Sequence, residues 1–174
     1  MGSRNRPGDS LERTHAGVVM AIRDVVIGVD GTNGAQHAME WAAPLMHELD
    51  AHVVAVHVIS RTWLTELSAL QIDTDEMIHR QRAQLVGPWT QPLRDASVRY
   101  TTECVRGDPP TELLGIAVQR HADLIVIGGT HHSGMRDALL GGTAHRVVNR
   151  TGIPVVVVPL ATEPRPPAVV PIPG

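Results

Sequence analysis

The stretch that decides the fold is DVVIGVDGTNG, residues 24–34. It opens with a short β-branched run, residues 24–29, and continues directly into a glycine-rich turn. Three further apolar runs of strand length follow: 52–59, 122–127 and 154–158. Runs that are apolar on both faces are typical of a parallel sheet covered by helices on each side. A fifth run, residues 98–105, is more polar and predicts a peripheral strand.

Four helical patterns fill the gaps between these runs. They cover about residues 35–49, 75–93, 109–117 and 135–149. Pro44 should kink the first helix, and Gly87-Pro88 interrupts the second. The third opens with Asp108 as N-cap and Pro109 at the first helical position. Alternating strands and helices with right-handed crossovers predict a Rossmann-like, doubly wound α/β fold.

The composition argues for one domain and against several functions. The 174 residues suit a single domain at 23–160, flanked by loose tails at 1–22 and, with five prolines, at 161–174. All fifteen cations are Arg, which excludes Lys chemistry such as a Schiff base or a phosphate-loop Lys. A net charge of −3 and four scattered aromatic residues speak against nucleic acid as a partner.

The single cysteine and the hydropathy pattern indicate in which cellular compartment the protein is located. Cys104 has no partner for a disulfide within the chain, and its place in a strand pattern predicts a small core residue rather than a reactive thiol. No apolar stretch reaches membrane-spanning length, and the first residues lack the apolar centre of a signal peptide. We therefore expect a cytoplasmic protein with no membrane partner.

Two glycine-rich turns follow the first and fourth strands, where ligands bind in such sheets. The first, residues 28–34, lacks a dinucleotide fingerprint because Asp30 stands at the second glycine position. A carboxylate there repels pyrophosphate but accepts hydrogen bonds from ribose hydroxyls or an exocyclic amine. Asp30 is thus a candidate for the nucleoside end of a ligand. The alternative is that Asp30 caps the following helix.

The second turn, residues 128–134, can hold phosphates. Its glycines let backbone amides approach an anion, and a helix begins just afterwards with its positive dipole end. Gly141 and Gly142 lie within that helix, where each destabilises the helix by about 1 kcal/mol relative to Ala. Glycine at these two positions therefore requires an explanation. Close approach of a ligand and close packing of helix against strand are the two explanations.

These motifs resemble a known family. Gly128-x2-His131-x9-Gly141-Gly142 resembles Gly-x2-Gly-x9-Gly-Ser/Thr, the nucleotide-binding signature of universal stress proteins. The likeness covers about residues 23–160. Further segments resemble the strands, turns and third helix of the family: 24–32, 53–58, 106–109, 122–128 and 154–158.

The resemblance implies a five-stranded parallel sheet of order 3-2-1-4-5, and often a homodimer joined through the last strand. It implies ligand binding for part of the family, with ATP as the usual ligand, and catalysis that is absent or weak. If ATP binds, we expect a divalent ion, Mg²⁺, to arrive with its phosphates. Val29, Asp30 and Val58 would line the adenine and ribose site. The phosphates would face Gly128, His131, Gly141, Gly142 and Thr143.

Two positions depart from the signature, and they leave two functions open. His131 replaces the second glycine, and Gly142 replaces the Ser/Thr. The first interpretation is a stress-response module that binds ATP or a related adenine nucleotide without efficient catalysis. The alternative is a ligand-free dimeric interaction module of the same fold, joined through the valines of residues 155–158.

Two other classes of site are disfavoured. Ser133 lacks the glycines that a nucleophile elbow needs two residues to either side, which argues against a hydrolase. His131, His132 and His145 could suggest a metal site. Adjacent side chains diverge, however, and no acidic partner shares a helix face with them.

Overall fold

The computed structural model of the chain describes residues 21–129 and 142–160. The strands are β1 (Asp24–Gly28), β2 (His52–Ser60), β3 (Arg99–Gly107), β4 (Leu124–Gly128) and β5 (Val155–Val158). The helices are α1 (Asn33–Glu48), α2 (Arg61–Ala69), α3 (Thr74–Val86), α4 (Gln91–Asp95), α5 (Pro109–Gln119) and α6 (Gly142–Val148). A single 3₁₀ turn, Pro88–Thr90, joins α3 to α4. No helix in these two ranges combines the length and apolarity that crossing a bilayer requires.

The five strands form one parallel sheet in the order β3-β2-β1-β4-β5. Val25 of the central strand β1 pairs with Val53 of β2 and with Leu124 of β4. The predicted fold and strand order are therefore confirmed. The polar strand β3 lies at one edge, as its sequence indicates, and β5 lies at the other.

The core consists of two apolar layers, one on each face of the sheet. Val25 and Ile27 point to the face where α1 packs with Met39 and Met46. Alternate residues point to the opposite face, which α5 and α6 cover. This two-sided burial is why the strand sequences are apolar on both faces.

The helices differ from the sequence prediction in two places. The predicted helix at 75–93 is two helices, because Gly87 ends α3 and Pro88 opens the 3₁₀ turn that precedes α4. The prediction of four helices missed α2, although Ser60 precedes it as an N-cap residue. α2 buries none of its residues, so its apolar pattern carried little weight in the sequence. α1 continues through Pro44.

Several predictions fall beyond the described ranges. These are residues 1–20 of the first predicted tail, the whole second tail at 161–174, and residues 135–141 of the fourth predicted helix, of which α6 is the described part. Ile22, at the start of the described chain, packs against the core beneath α1.

Candidate functional site

A cleft of about 190 Å³ opens at the carboxyl ends of β1, β2 and β4. The start of α1 borders it on one side, and the starts of α5 and α6 border it on the other. Six of the eight residues predicted for the site line this cleft: Val29, Asp30, Val58, Gly128, Gly142 and Thr143. The other two, His131 and Gly141, lie outside the described residues. The sheet thus brings together residues that are up to 114 positions apart in sequence, Val29 and Thr143.

Asp30 and Thr32 form a hydrogen-bonded pair at the rim of the cleft. Thr32 donates to Asp30 Oδ1 from its backbone N–H (3.0 Å) and from its hydroxyl (2.6 Å). The Thr32 hydroxyl oxygen accepts in turn from the backbone N–H of Ala35 (3.2 Å) and so caps α1. Asp30 therefore does not cap the helix itself, which corrects the alternative role considered for it. Within the described chain, Asp30 Oδ2 has no hydrogen-bond donor.

Gly128, which lines the cleft, takes part in a close contact between the backbones of β4 and α1. A Cβ atom on Gly34 would lie 2.1 Å from the Gly129 carbonyl oxygen, and one on Gly128 would lie 2.3 Å from the Gly34 carbonyl carbon. The start of α1 therefore rests directly on the end of β4. Gly128 lines the cleft as predicted, and close packing is a second requirement for glycine at that position.

Gly142 is a different kind of glycine. Apart from its chain neighbours and its own helix backbone, a Cβ atom built there would meet no atom of the described residues within 4 Å, and its backbone φ is not in the left-handed region. Close packing of helix against strand therefore does not explain Gly142 in the described structure. Together with Thr143, it borders open space in the cleft.

A bidentate ion pair ties the two helices on this side of the cleft together. Arg146 of α6 donates to both carboxylate oxygens of Asp108, at 2.9 and 2.8 Å, and Thr111 adds a hydroxyl donor at 2.6 Å. The Thr111 hydroxyl and Arg146 together hold the pKa of the Asp108 carboxyl below its usual value. Asp108 is the N-cap residue of α5, as the sequence predicted, although its side chain makes no capping hydrogen bond to the helix backbone.

The cleft has apolar walls that sequence reasoning did not assign. They come from the ends of β2 and β4 and from the first turns of α1 and α5: Ala35, Val56, Pro109, Leu113 and Ile127. Val56 and Val58 share one side of β2 by strand alternation, so the period of two could have identified Val56. Leu113 lies one helical turn after Pro109, a spacing that could have identified it once α5 was placed.

The rival sites fall partly outside the described chain. Ser133, His131 and His132 lie in the range that is not described. Within residues 21–129 and 142–160, no three His, Cys, Asp or Glu side chains are grouped as metal ligands would be. Cys104 is half-buried and packs against the core, as its sequence predicted.

Comparison with known proteins shows which family the chain belongs to. The family model described as the universal stress protein family matches residues 21–159. Universal stress protein MJ0531 of Methanocaldococcus jannaschii is 29% identical over 138 residues, which are 78% of this chain and 81% of that protein.

Solved structures of the same family have the same fold. A universal stress protein in complex with cAMP superposes with a TM-score of 0.59 at 22% identity, covering 79% of this chain and 97% of that one. The universal stress protein from Archaeoglobus fulgidus in complex with dAMP superposes with a TM-score of 0.58 at 20% identity, covering 79% and 98%.

Proposed function

Since the chain belongs to the universal stress protein family, we propose that its cleft binds an adenine nucleotide as part of a stress-response role. The observation that carries this proposal is that Val29, Asp30, Val58, Gly142 and Thr143, chosen from a motif, line one cleft together with Gly128. The relatives solved with cAMP and dAMP support adenine nucleotides as the ligand class.

The two ends of the cleft suit the two ends of a nucleotide. Asp30 keeps one carboxylate oxygen available for ribose hydroxyls, while its other oxygen holds Thr32. The apolar walls formed by Val56, Val58 and Leu113 suit a flat base. At the other end, Gly142 leaves open space, and Thr143 offers a hydroxyl donor for a phosphate oxygen.

ATP with Mg²⁺ is the form of the ligand that we propose. No cationic side chain lines the described part of the cleft, so a metal ion that arrives with the phosphates would offset their charge. We also propose that turnover is slow or absent. Asp30 is the one ionisable side chain among the described lining residues, and general acid–base catalysis needs a group positioned at the reacting atoms.

A homodimer through β5 completes the proposal. β5 is an edge strand of four valines, three of them half-buried, and an apolar edge of this kind is a surface for pairing. The cytoplasmic location and the absence of nucleic-acid and membrane partners stay predictions from the sequence.

Calorimetric titration with ATP and Mg²⁺, AMP, adenosine and GTP tests the nucleotide site. Asp30→Asn retains an oxygen for the Thr32 hydrogen bonds but removes the charge and the second acceptor. We expect it to weaken ATP and adenosine binding by about 10- to 100-fold, the loss typical of a hydrogen bond to a charged group. Asp75→Asn, an exposed carboxylate on α3 outside the cleft, should bind like the parent.

Gly142→Val tests the phosphate end. Because a Cβ atom at this position would meet no neighbour among the described residues, we expect the variant to fold normally while its side chain occupies space that the phosphates need. We expect it to weaken ATP binding more than adenosine binding. A folded parent protein that gives no heat with any adenine nucleotide would instead favour the ligand-free interaction module. Equal binding by the parent and both cleft variants would place the site elsewhere.

A further inference from the structure

Two rings lie beneath the turn that carries Asp30. His57 of β2 has 6% of its surface exposed, and its Nδ1 lies 2.8 Å from the Val29 carbonyl oxygen. A carbonyl oxygen can only accept, so the Nδ1 atom carries the proton and donates it to Val29. Val29 also donates its own N–H to the Val56 carbonyl at 2.8 Å. Both backbone groups of the residue before Asp30 are thus held by β2.

The second ring is the indole of Trp89, in the 3₁₀ turn. It meets the His57 ring edge to face, with centroids 5.1 Å apart and an interplanar angle of 62°. Gly31 rests on the same indole: a Cβ atom there would lie 2.5 Å from Trp89 Cζ2. Gly31 also has a φ of +78°, a conformation that favours glycine. His57 and Trp89, which we call the aromatic support, therefore contact the residues on both sides of Asp30.

The segment that carries Trp89 is itself fixed. Thr90 is fully buried, and its hydroxyl donates to the Leu85 carbonyl at 2.8 Å. The Arg94 guanidinium donates to the Gly87 carbonyl at 2.5 Å and to the Tyr100 hydroxyl at 2.9 Å. These bonds clamp the 3₁₀ turn from both ends, so Trp89 offers the Gly31 backbone a rigid surface.

We infer that His57 and Trp89 are positioning residues that set the location of the Asp30 carboxylate at the nucleoside end of the cleft. The inference rests on the proposed function for the identity of the ligand. Its claim that the two rings hold the Asp30 turn in place does not depend on any ligand. His57 reaches Asp30 through the Val29 peptide, and Trp89 reaches it through Gly31. Neither residue is among those that line the cleft.

A purely space-filling role makes a different prediction. An imidazole in an apolar layer carries a desolvation cost that a phenyl ring of similar shape does not. If the ring only fills space, His57→Phe should leave both the turn and the ligand affinity unchanged. A positioning role requires the donor, so removing it should loosen the turn even where packing is preserved.

Three substitutions separate the donor from the ring. His57→Phe keeps a ring against Trp89 and removes the donor. His57→Asn places an amide N–H near the former Nδ1 position and removes the ring. His52→Phe is the matched control, a half-buried histidine at the opposite end of the same strand.

The ligand readout is calorimetric titration with adenosine, AMP and ATP. We expect His57→Phe to weaken all three by the same factor, about 3- to 10-fold, which corresponds to one ordinary hydrogen bond. His57→Asn should recover most of the affinity, and His52→Phe should match the parent. Unchanged affinity in His57→Phe, in a protein that binds adenosine, would contradict the inference.

A second readout needs no ligand. We expect the amide protons of Gly31 and Thr32 to exchange faster with solvent in His57→Phe and in Trp89→Leu than in the parent or in His52→Phe. If the parent binds no nucleotide but these amides respond, the proposed function fails and the positioning of the turn stands. If the exchange rates in His57→Phe equal those of the parent, the inference is overturned whatever the ligand result.

Discussion

His57 lies on β2 with little of its surface exposed, and this burial lowers the pKa of its imidazole below the ordinary value of 6.5. The hydrogen bond to the Val29 carbonyl and the negative charge of Asp30 raise the pKa, but burial is the larger effect. The unfolded chain therefore takes up this proton at a higher pH than the folded chain does. The stability that neutral His57 contributes is full above about pH 6.5 and is lost as the pH falls from there toward the folded pKa.

We predict that His57→Phe removes this part of the pH dependence. The measurement is the free energy of unfolding from urea titrations at pH 8.0, 6.5 and 5.0, for the parent and the variant. The parent should lose more stability than the variant between pH 6.5 and 5.0. If both proteins lost the same free energy of unfolding between pH 6.5 and 5.0, the assignment of this pH dependence to His57 would be wrong.

Two carboxyl groups affect the unfolding free energy in a separate window. The backbone N–H of Arg23 lowers the pKa of Asp123, and the Thr111 hydroxyl lowers that of Asp108. Their contributions are present above the ordinary carboxyl value of 3.8 and are lost as the pH falls below it. Measurements that stop at pH 5.0 therefore stay above the window in which Asp108 and Asp123 lose their contributions.

At the scale of helices, α1 and α2 have the same kind of start but different burial. Each begins with a hydroxyl that accepts from a backbone N–H in its first turn: Thr32 from Ala35 at 3.2 Å, and Ser60 from Trp63 at 3.0 Å. α1 has seven buried residues and forms one layer of the core, whereas α2 has none. The two helices should therefore respond differently to loss of the same bond.

We predict that Thr32→Ala lowers the global free energy of unfolding by about 1 kcal/mol, the usual value of an N-cap. Ser60→Ala should lower it less, because α2 can open locally while the core stays folded. Urea unfolding measures the first effect, and amide exchange along α2 measures the second. Equal global losses in the two variants would mean that α2 belongs to the cooperative core.

The helices also show how far the sequence could predict the structure. Strands that are buried on both faces have continuous apolar sequences, so the parallel sheet could be predicted from these apolar runs. The order of its strands could be predicted from the family resemblance. α2 was not, because a helix without buried residues has no strong apolar face to recognise. The cleft residues could be predicted where a motif named them. The role of Thr32 depends on a turn geometry, and the aromatic support on contacts between residues 31, 57 and 89, which no local pattern shows.

At the scale of the whole molecule, the edge strand β5 is the surface that bears on assembly. The carbonyl of Pro154, directly before β5, and that of Val158 accept from the backbone N–H groups of Ile125 and Gly129 on the β4 side. Backbone groups alternate in direction along a strand, so those of Val155 and Val157 point away from β4. A second copy pairing there would satisfy these groups and cover half-buried valines.

We predict that Val157→Lys shifts the protein from dimer to monomer, because a dimer interface would have to bury the new charge. Sedimentation equilibrium measures the outcome, with the chain mass of 18.8 kDa against twice that mass. Val118→Lys on the exposed face of α5 is the matched control and should not change the mass. A parent protein that is monomeric at high concentration would remove the dimer from the proposal.

The backbone contact between Gly34 and Gly128 has a consequence for how this protein can acquire new ligands. A side chain at either glycine would collide with the other main chain, so these two positions cannot vary freely. The cleft is also lined by three residues that have side chains and are free to vary, Val58, Pro109 and Thr143. Divergence toward another ligand, in a laboratory or in nature, should therefore replace these three side chains one at a time and leave Gly34 and Gly128 unchanged.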